Sequence, residues 1–286
     1  MIKITTIFAA GLIALGLAVP AVAQDHEVIH VERQPWTFAG IFGKYDEHQL
    51  QRGFQVFQAV CANCHGAKLL AFRNLEEEGG PGFTEEQVKA LAATYTVNDP
   101  EAEGGTRKGL PSDRWPGTGQ SDADLAAAFG IVPPDLSVMA KARSIASPFP
   151  QWIFNYFTTY SEGGPDYIHA LLTGYEEMPP EGAEVPEGKF YNHVFPGHAI
   201  GMPPPLADGS VAYATGAEDD PATAEDESVR DATMEEASTD VSAFLMWMAE
   251  PHLNEQKSAG FRVLTFLLLF AVLMWFVKQR LWRQVH

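Results

Sequence analysis

Cys61-Ala62-Asn63-Cys64-His65 holds both cysteines of the chain and ends on a histidine. That C-x-x-C-H spacing is the attachment signature of a c-type haem. Two intervening residues let one turn of backbone present both thiols to the same porphyrin edge, and the next residue supplies an imidazole for the iron. The stretch therefore predicts one covalently attached haem c, with thioethers from Cys61 and Cys64 and His65 as an axial ligand. A structural zinc site draws four ligands, usually as two pairs, and the chain has one pair. A redox dithiol belongs beside a βαβ pattern, which does not follow here. A plain disulfide leaves His65 unexplained.

The two ends read differently. Residues 1–23 form a secretory signal: Lys3, an apolar core from Ile7 to Val19, and the cleavage pattern Ala21-Val22-Ala23. Export suits a c-type haem, which in bacteria is attached outside the cytoplasm. Near the other end, Phe261 to Val277 is apolar apart from Arg262 and Thr265. With the small residues before it, the stretch 258–278 is long enough to cross a bilayer once. Lys278, Arg280 and Arg283 follow, with Trp275 and Trp282 as interface anchors, so residues 279–286 are expected in the cytoplasm. The expected organisation is a periplasmic haem domain, 24–257, tethered to the inner or intracytoplasmic membrane by a single pass.

The formal net charge is −18, and removing Lys3 and the three basic residues of the tail leaves the exported part near −22. Such a surface repels nucleic acid, which is not expected as a partner, and attracts basic proteins. Ten of the acidic residues lie between Ala217 and Asp240 against Arg230 alone. This run reads as a solvated face, with a docking patch for a basic carrier as the alternative.

Between the ends the periodicity is helical. Tyr45 to Val60 carries Leu50, Phe54, Phe57 and Cys61 at helical spacing, with Gly53 marking a close approach of another element. Thr84 caps Glu85 to Tyr95, and Asp122 to Phe129 stops at Gly130. Val241 to Glu250 is read as a helix capped by Asp240, its Phe244, Trp247 and Met248 meeting Gly53. Residues 98–120 and 174–216 read as loops. The aromatic stretches Ser147 to Tyr160 and Tyr167 to Leu172 are expected to pack over the cofactor. The class is all-α: a haem domain with long loop insertions plus one C-terminal membrane helix.

The sixth iron ligand decides between electron transfer and chemistry at the metal. Met178 and Met202 both precede prolines. Met178 follows Glu176 and Glu177, whose burial beside a haem is costly. Met202 follows Ala199-Ile200-Gly201 and is stiffened by Pro203, Pro204 and Pro205, so the chemistry prefers it. His198 and His193 remain as rivals that would give a bis-histidine haem.

Phe42-Gly43-Lys44-Tyr45, Arg52 to Phe57 before the haem motif, Pro133-Pro134-Asp135-Leu136-Ser137 and Lys141-Ala142-Arg143 together resemble the cytochrome c1 family. So do Tyr167-Ile168, Leu172 to Tyr175, Gly201-Met202-Pro203-Pro204-Pro205 and Ala243 to Trp247 with Glu250-Pro251. The resemblance implies a class I cytochrome c-like core and a subunit of the bc1 complex, ubiquinol–cytochrome c oxidoreductase. It implies electron transfer from the Rieske iron–sulfur protein to cytochrome c, beside cytochrome b, in a dimeric complex. Quinol oxidation then belongs to the assembly rather than to this chain. It further implies Met202 on the iron, Arg143 and Tyr167 at the propionates, and Pro133 and Pro134 against the ring. A free-standing anchored carrier serving a terminal oxidase and a peroxidase-like haem enzyme are the alternatives.

Overall fold

Asp46 begins the first helix by accepting a hydrogen bond from the Gln49 N–H at 2.7 Å, which satisfies one of the amides that a helix start leaves open. A computed structural model describes residues 31–144, 147, 149–158, 160–214 and 229–283. The signal segment 1–23, the first half of the acidic run (217–228) and the last three residues lie outside the described residues. The elements are α1 (Glu47–Ala59), α2 (Glu85–Thr94), α3 (Asp122–Phe129), α4 (Met139–Ala142), α5 (Gln151–Thr158), α6 (Gly163–Thr173), α7 (Met234–Ala249) and α8 (Leu253–Trp282). Among the described residues, three short antiparallel ladders join loop segments: β1 (Thr96–Asn98) with β2 (Thr106–Lys108), β3 (Phe190–Tyr191) with β4 (Ala199–Ile200), and β5 (Ala212–Ala214) with β6 (Val229–Asp231). The chain is mostly helical, as expected, and the ladders punctuate stretches expected to be loop.

The core forms where α1 crosses α7. Leu50, Phe54, Val56 and Phe57 of α1 are buried with Val241, Phe244 and Trp247 of α7. Phe244 packs edge-on against Phe54 at 5.6 Å and tilted against Phe57 at 5.5 Å, geometries that aromatic quadrupoles favour. Trp115 closes the cluster against Phe57 and Tyr95. Gly53 lies at the crossing, where an added Cβ would collide with the Asp240 carbonyl and lie 2.7 Å from the Phe244 Cβ.

The acidic run needs correction at its C-terminal end. α7 begins at Met234, not Val241, because Thr233 and Glu236 form a reciprocal capping box. Asp240 is therefore no cap. It is buried inside the helix and takes both Nε and Nη2 of Arg52, at 2.9 and 3.3 Å. Ala237 and Ser238 are buried with it while Glu235 stays exposed, so residues 234–240 form an amphipathic helix start, packed on one face and solvated on the other.

α8 grows directly out of the domain. Leu253 is buried in the core, and the Lys257 ammonium donates to the carbonyls of Phe38 and Gly43. From there the helix runs bare, with an 18-residue window of mean hydropathy 2.2 and none of it buried. Thirty residues span about 45 Å, enough to cross a bilayer with the first turns left among the domain's side chains.

Candidate haem site

α1 leads straight into the haem motif. Val60 donates to Val56 at 2.9 Å, Cys61–Asn63 then form one tight 3-10 turn, and the N–H groups of Cys64 and His65 both donate to the Cys61 carbonyl. Asn63 pins the turn to the end of α1 through the Ala59 carbonyl at 2.8 Å. Both sulfur carriers and the imidazole thus leave from one turn, half-buried at the rim of the core.

The orientation of His65 is set from 69 residues away. Its Nδ1 lies 2.7 Å from the Pro134 carbonyl oxygen. A carbonyl only accepts, so Nδ1 carries the proton and the Nε2 lone pair is left for a metal. Burial lowers the His65 pKa, against the opposing pull of that carbonyl and of Asp135, which keeps the ring neutral. The loop supplying the carbonyl is clamped in turn. Asp135 accepts from the N–H groups of Lys68 and Ser137 at 2.8 and 3.0 Å, the Ser137 hydroxyl accepts from Leu69, and Leu136 donates to Gly66.

Asp135 gives a pH-dependent test of this clamp. Burial pushes its pKa up, but hydrogen bonds from Ser137 and the Lys68 N–H outweigh that, and the net shift is downward. A carboxyl held below its unfolded value contributes stability above that value and loses it as pH falls through the folded one. Asp135→Asn is therefore expected to cost about 1 kcal/mol at neutral pH. The difference from the natural chain should shrink as pH falls through the lowered Asp135 value, as checked by denaturant titrations at pH 7 and at a series of acid pH values.

On the loop after β4, Met202 is half-buried and packs against the core cluster, whereas Met178 is 85% exposed. Tyr175 donates its hydroxyl to the Met202 carbonyl at 3.1 Å. Tyr175 also bridges Asn192, a buried side chain that bonds Leu171, Val194 and Phe195. The β3–β4 ladder holds Ile200 opposite Phe190. At Gly201 an added Cβ would meet only Ile131, at 3.7 Å, so the methionine loop comes up beside the segment that leads into Pro133. The rival histidines are engaged elsewhere: His193 pairs with Glu176 at 3.2 Å, and His198 stacks on Tyr191.

Arg143 is exposed at the end of α4, and Tyr167 is half-buried on α6. Burial raises the Tyr167 pKa and the Arg143 charge opposes it. The two stand close enough to feel each other, and Tyr167 in turn acts on Tyr175. The line Arg143–Tyr167–Tyr175 runs toward the Met202 loop. Pro133 is half-buried and Pro134 exposed, beside the uncovered side chains of Ile131, Val132 and Val138. On α5, Trp152, Phe154, Tyr156 and Phe157 are all exposed. Asp135, Ser137 and Tyr175 belong to the site's frame, and the Asp-x-Ser turn was the sequence signal for the first two.

The donor set fits a haem c and resists the other readings. Two thiols and a metal-ready imidazole share one turn, and apolar side chains and Pro133 border it. Burial pushes the Cys61 thiol up to about 12, unlike the lowered value of a reactive dithiol. Among the described residues no group of three or more His, Cys, Asp or Glu side chains is gathered for a metal ion. The Cytochrome C1 family profile matches residues 36–285. The chain belongs to the cytochrome c1 family. Cytochrome c1 of Blastochloris viridis is 45% identical over 287 residues, covering 97% of this chain and 96% of that one. Cytochrome c1-2, heme protein, mitochondrial, of Solanum tuberosum is 40% identical, over 91% of this chain and 88% of its own length. Cytochrome b/c1 of Bradyrhizobium diazoefficiens is 44% identical over 97% of this chain, which spans 40% of that longer protein. Cytochrome c1 proteins carry one covalently bound haem c and act in electron transfer as the haem subunit of the bc1 complex.

Proposed function

We propose that this chain carries single electrons from the Rieske iron–sulfur protein to a cytochrome c, as the periplasmic haem subunit of a bacterial bc1 complex anchored by α8. The observation that carries the reading is the His65 Nδ1 to Pro134 contact on the C-x-x-C-H turn, because it frees Nε2 for iron. Cys61 and Cys64 are assigned the thioether bonds, His65 and Met202 the axial positions, Arg143 and Tyr167 the propionates, and Pro133 and Pro134 the ring face. The core is assigned to the class I cytochrome c type, within residues 24–257. The basic residues Lys278, Arg280 and Arg283 favour a cytoplasmic C-terminus.

Haem c supplies a one-electron ferric–ferrous couple. The protein's part is to keep its ligands in place in both states. His65 is fixed by the Pro134 carbonyl and Met202 by Tyr175 and the prolines behind it, so little rearrangement accompanies transfer. The apolar residues bordering the turn exclude water, and a thioether ligand favours the reduced state; both raise the potential. The joined Cytochrome b/c1 relative supports a cytochrome b neighbour, and the acidic surface suits a basic acceptor. The complex is proposed to be dimeric.

Gentle solubilisation from native membranes, purification by a tag and a reduced-minus-oxidised visible spectrum test this. A c-type band accompanied by b-type bands is expected. A c-type band alone would leave a free-standing carrier, and no haem band would overturn the assignment from Cys61 onward.

A further inference from the structure

From Phe149 to Thr158 the chain has no charged residue, and α5 buries none of its side chains. Phe149, Trp152, Phe154, Tyr156 and Phe157 are 76, 57, 57, 80 and 75% exposed. Five neighbouring aromatic rings turned outward mark an interaction surface. Its place in the fold indicates what covers it.

Arg33 donates to the Asn155 amide oxygen at 2.6 Å and stacks on the Tyr160 ring at 3.8 Å. One residue on, the Gln34 N–H and the Trp36 indole both donate to Asp166. Trp36 stacks on Phe38, whose carbonyl receives Lys257 from the first turns of α8. Phe42, in the same segment, packs against Phe261 at 5.8 Å, where the bare apolar run of the anchor begins. A single short segment, residues 33–42, thus ties α5 to the point at which α8 enters the bilayer. The segment that holds α5 is the one that meets the anchor where its bare run begins.

We infer that α5 is an interfacial helix: its aromatic face lies in the headgroup layer of the membrane that α8 spans. Trp and Tyr rings are the side chains that favour this layer, with an apolar body toward the acyl chains and a polar edge toward water. Gln151, Asn155 and Thr158 keep the helix wettable, and its eight residues are too few to span. Because the domain is strongly acidic, the attachment works by apolar burial and does not need anionic lipid. Such a second point of attachment restrains rotation of the domain about α8, and so fixes the direction in which the Cys61–His65 turn faces.

Collision accessibility of a nitroxide at Tyr156→Cys, in the intact complex reconstituted into phosphatidylcholine nanodiscs, tests this. With Cys61 and Cys64 consumed by haem in the reading above, the introduced thiol is the one free thiol of this chain, and the complex with the natural chain, labelled in parallel, gives the background from other subunits. Leu267→Cys in the anchor and Glu187→Cys in an exposed loop are the lipid and water references, and Phe157→Cys gives a second view of the patch. Expected is ready collision with oxygen and loss of collisions with a water-soluble nickel chelate, as at Leu267. Nickel collisions matching those at Glu187 would overturn the inference. Loss of both collisions would also overturn it, since a protein neighbour, whether another subunit or a second copy, would then cover the patch. Neither result would bear on the haem assignment, which the visible spectrum reads separately.

Discussion

Met202→Leu is expected to leave haem c covalently attached while lowering its midpoint potential by on the order of 0.1–0.3 V. Axial ligand identity moves haem potentials across roughly 0.8 V, and leucine removes the sulfur without changing much else. The covalent turn at Cys61 and Cys64 and the His65–Pro134 contact lie on the other loop. Leucine is close to methionine in volume, so repacking costs less than about 1.5 kcal/mol. The backbone carbonyl that Tyr175 holds is also retained. What is lost is the soft donor that favours ferrous iron. At about 59 mV per tenfold change for one electron, even the smaller drop shifts the electron-accepting equilibrium more than tenfold, so turnover of the assembled complex falls with it. A redox titration reads the potential, and a haem stain after denaturation reads attachment. An unchanged potential would remove Met202 from the iron. His198→Ala, by contrast, should leave the potential near that of the natural chain, because that ring is stacked on Tyr191.

The parts of this protein that were legible in the sequence are those whose logic is local. The haem turn is read from five consecutive residues because the thioether geometry permits little else. The starts of α2 and α3 are marked by Thr84 with Gln87 and by Ser121 with Asp124, each pair bonding within one turn. The α1–α7 crossing left a glycine and an aromatic stripe, and the two meet as their pattern indicated. Distance hides the rest. The partner of His65 is a backbone carbonyl 69 residues away, and no side-chain type announces it. The start of α7 was masked by its own charges: Glu235, Glu236 and Asp240 read as solvated, while Ala237, Asp240 and Val241 are buried. The aromatic stretch around α5 shows the limit of composition, which tells that rings seek cover but not which neighbour supplies it.

Gly53→Ala is expected to destabilise the haem domain by about 2 kcal/mol, although alanine is the better helix former. In an open helix the change would gain roughly 0.5–1 kcal/mol. Here the new methyl meets the Asp240 carbonyl and the Phe244 Cβ, both on the opposite helix and neither able to rotate away. Overpacking of a close-fitted core costs about 1–3 kcal/mol, and this site sits at the upper end because the obstacle is backbone. Relief requires α1 and α7 to separate. That motion strains the Arg52–Asp240 bridge, in which Asp240 is nearly buried, and loosens Phe244 from Phe54 and Phe57. It also displaces the end of α1 from which Cys61 to His65 emerge, so the yield of haem-loaded protein should drop together with stability. For a domain of this size, 1 kcal/mol corresponds to roughly 2–4 °C in Tm, so a loss of several degrees is predicted in the holoprotein. Gly260→Ala serves as the control, since it too lies in a helix but nothing lies within 4 Å of its added Cβ, and it should leave haem content unchanged and not lower Tm. A Gly53→Ala protein as stable as the natural chain would mean that α1 and α7 do not approach closely at this point.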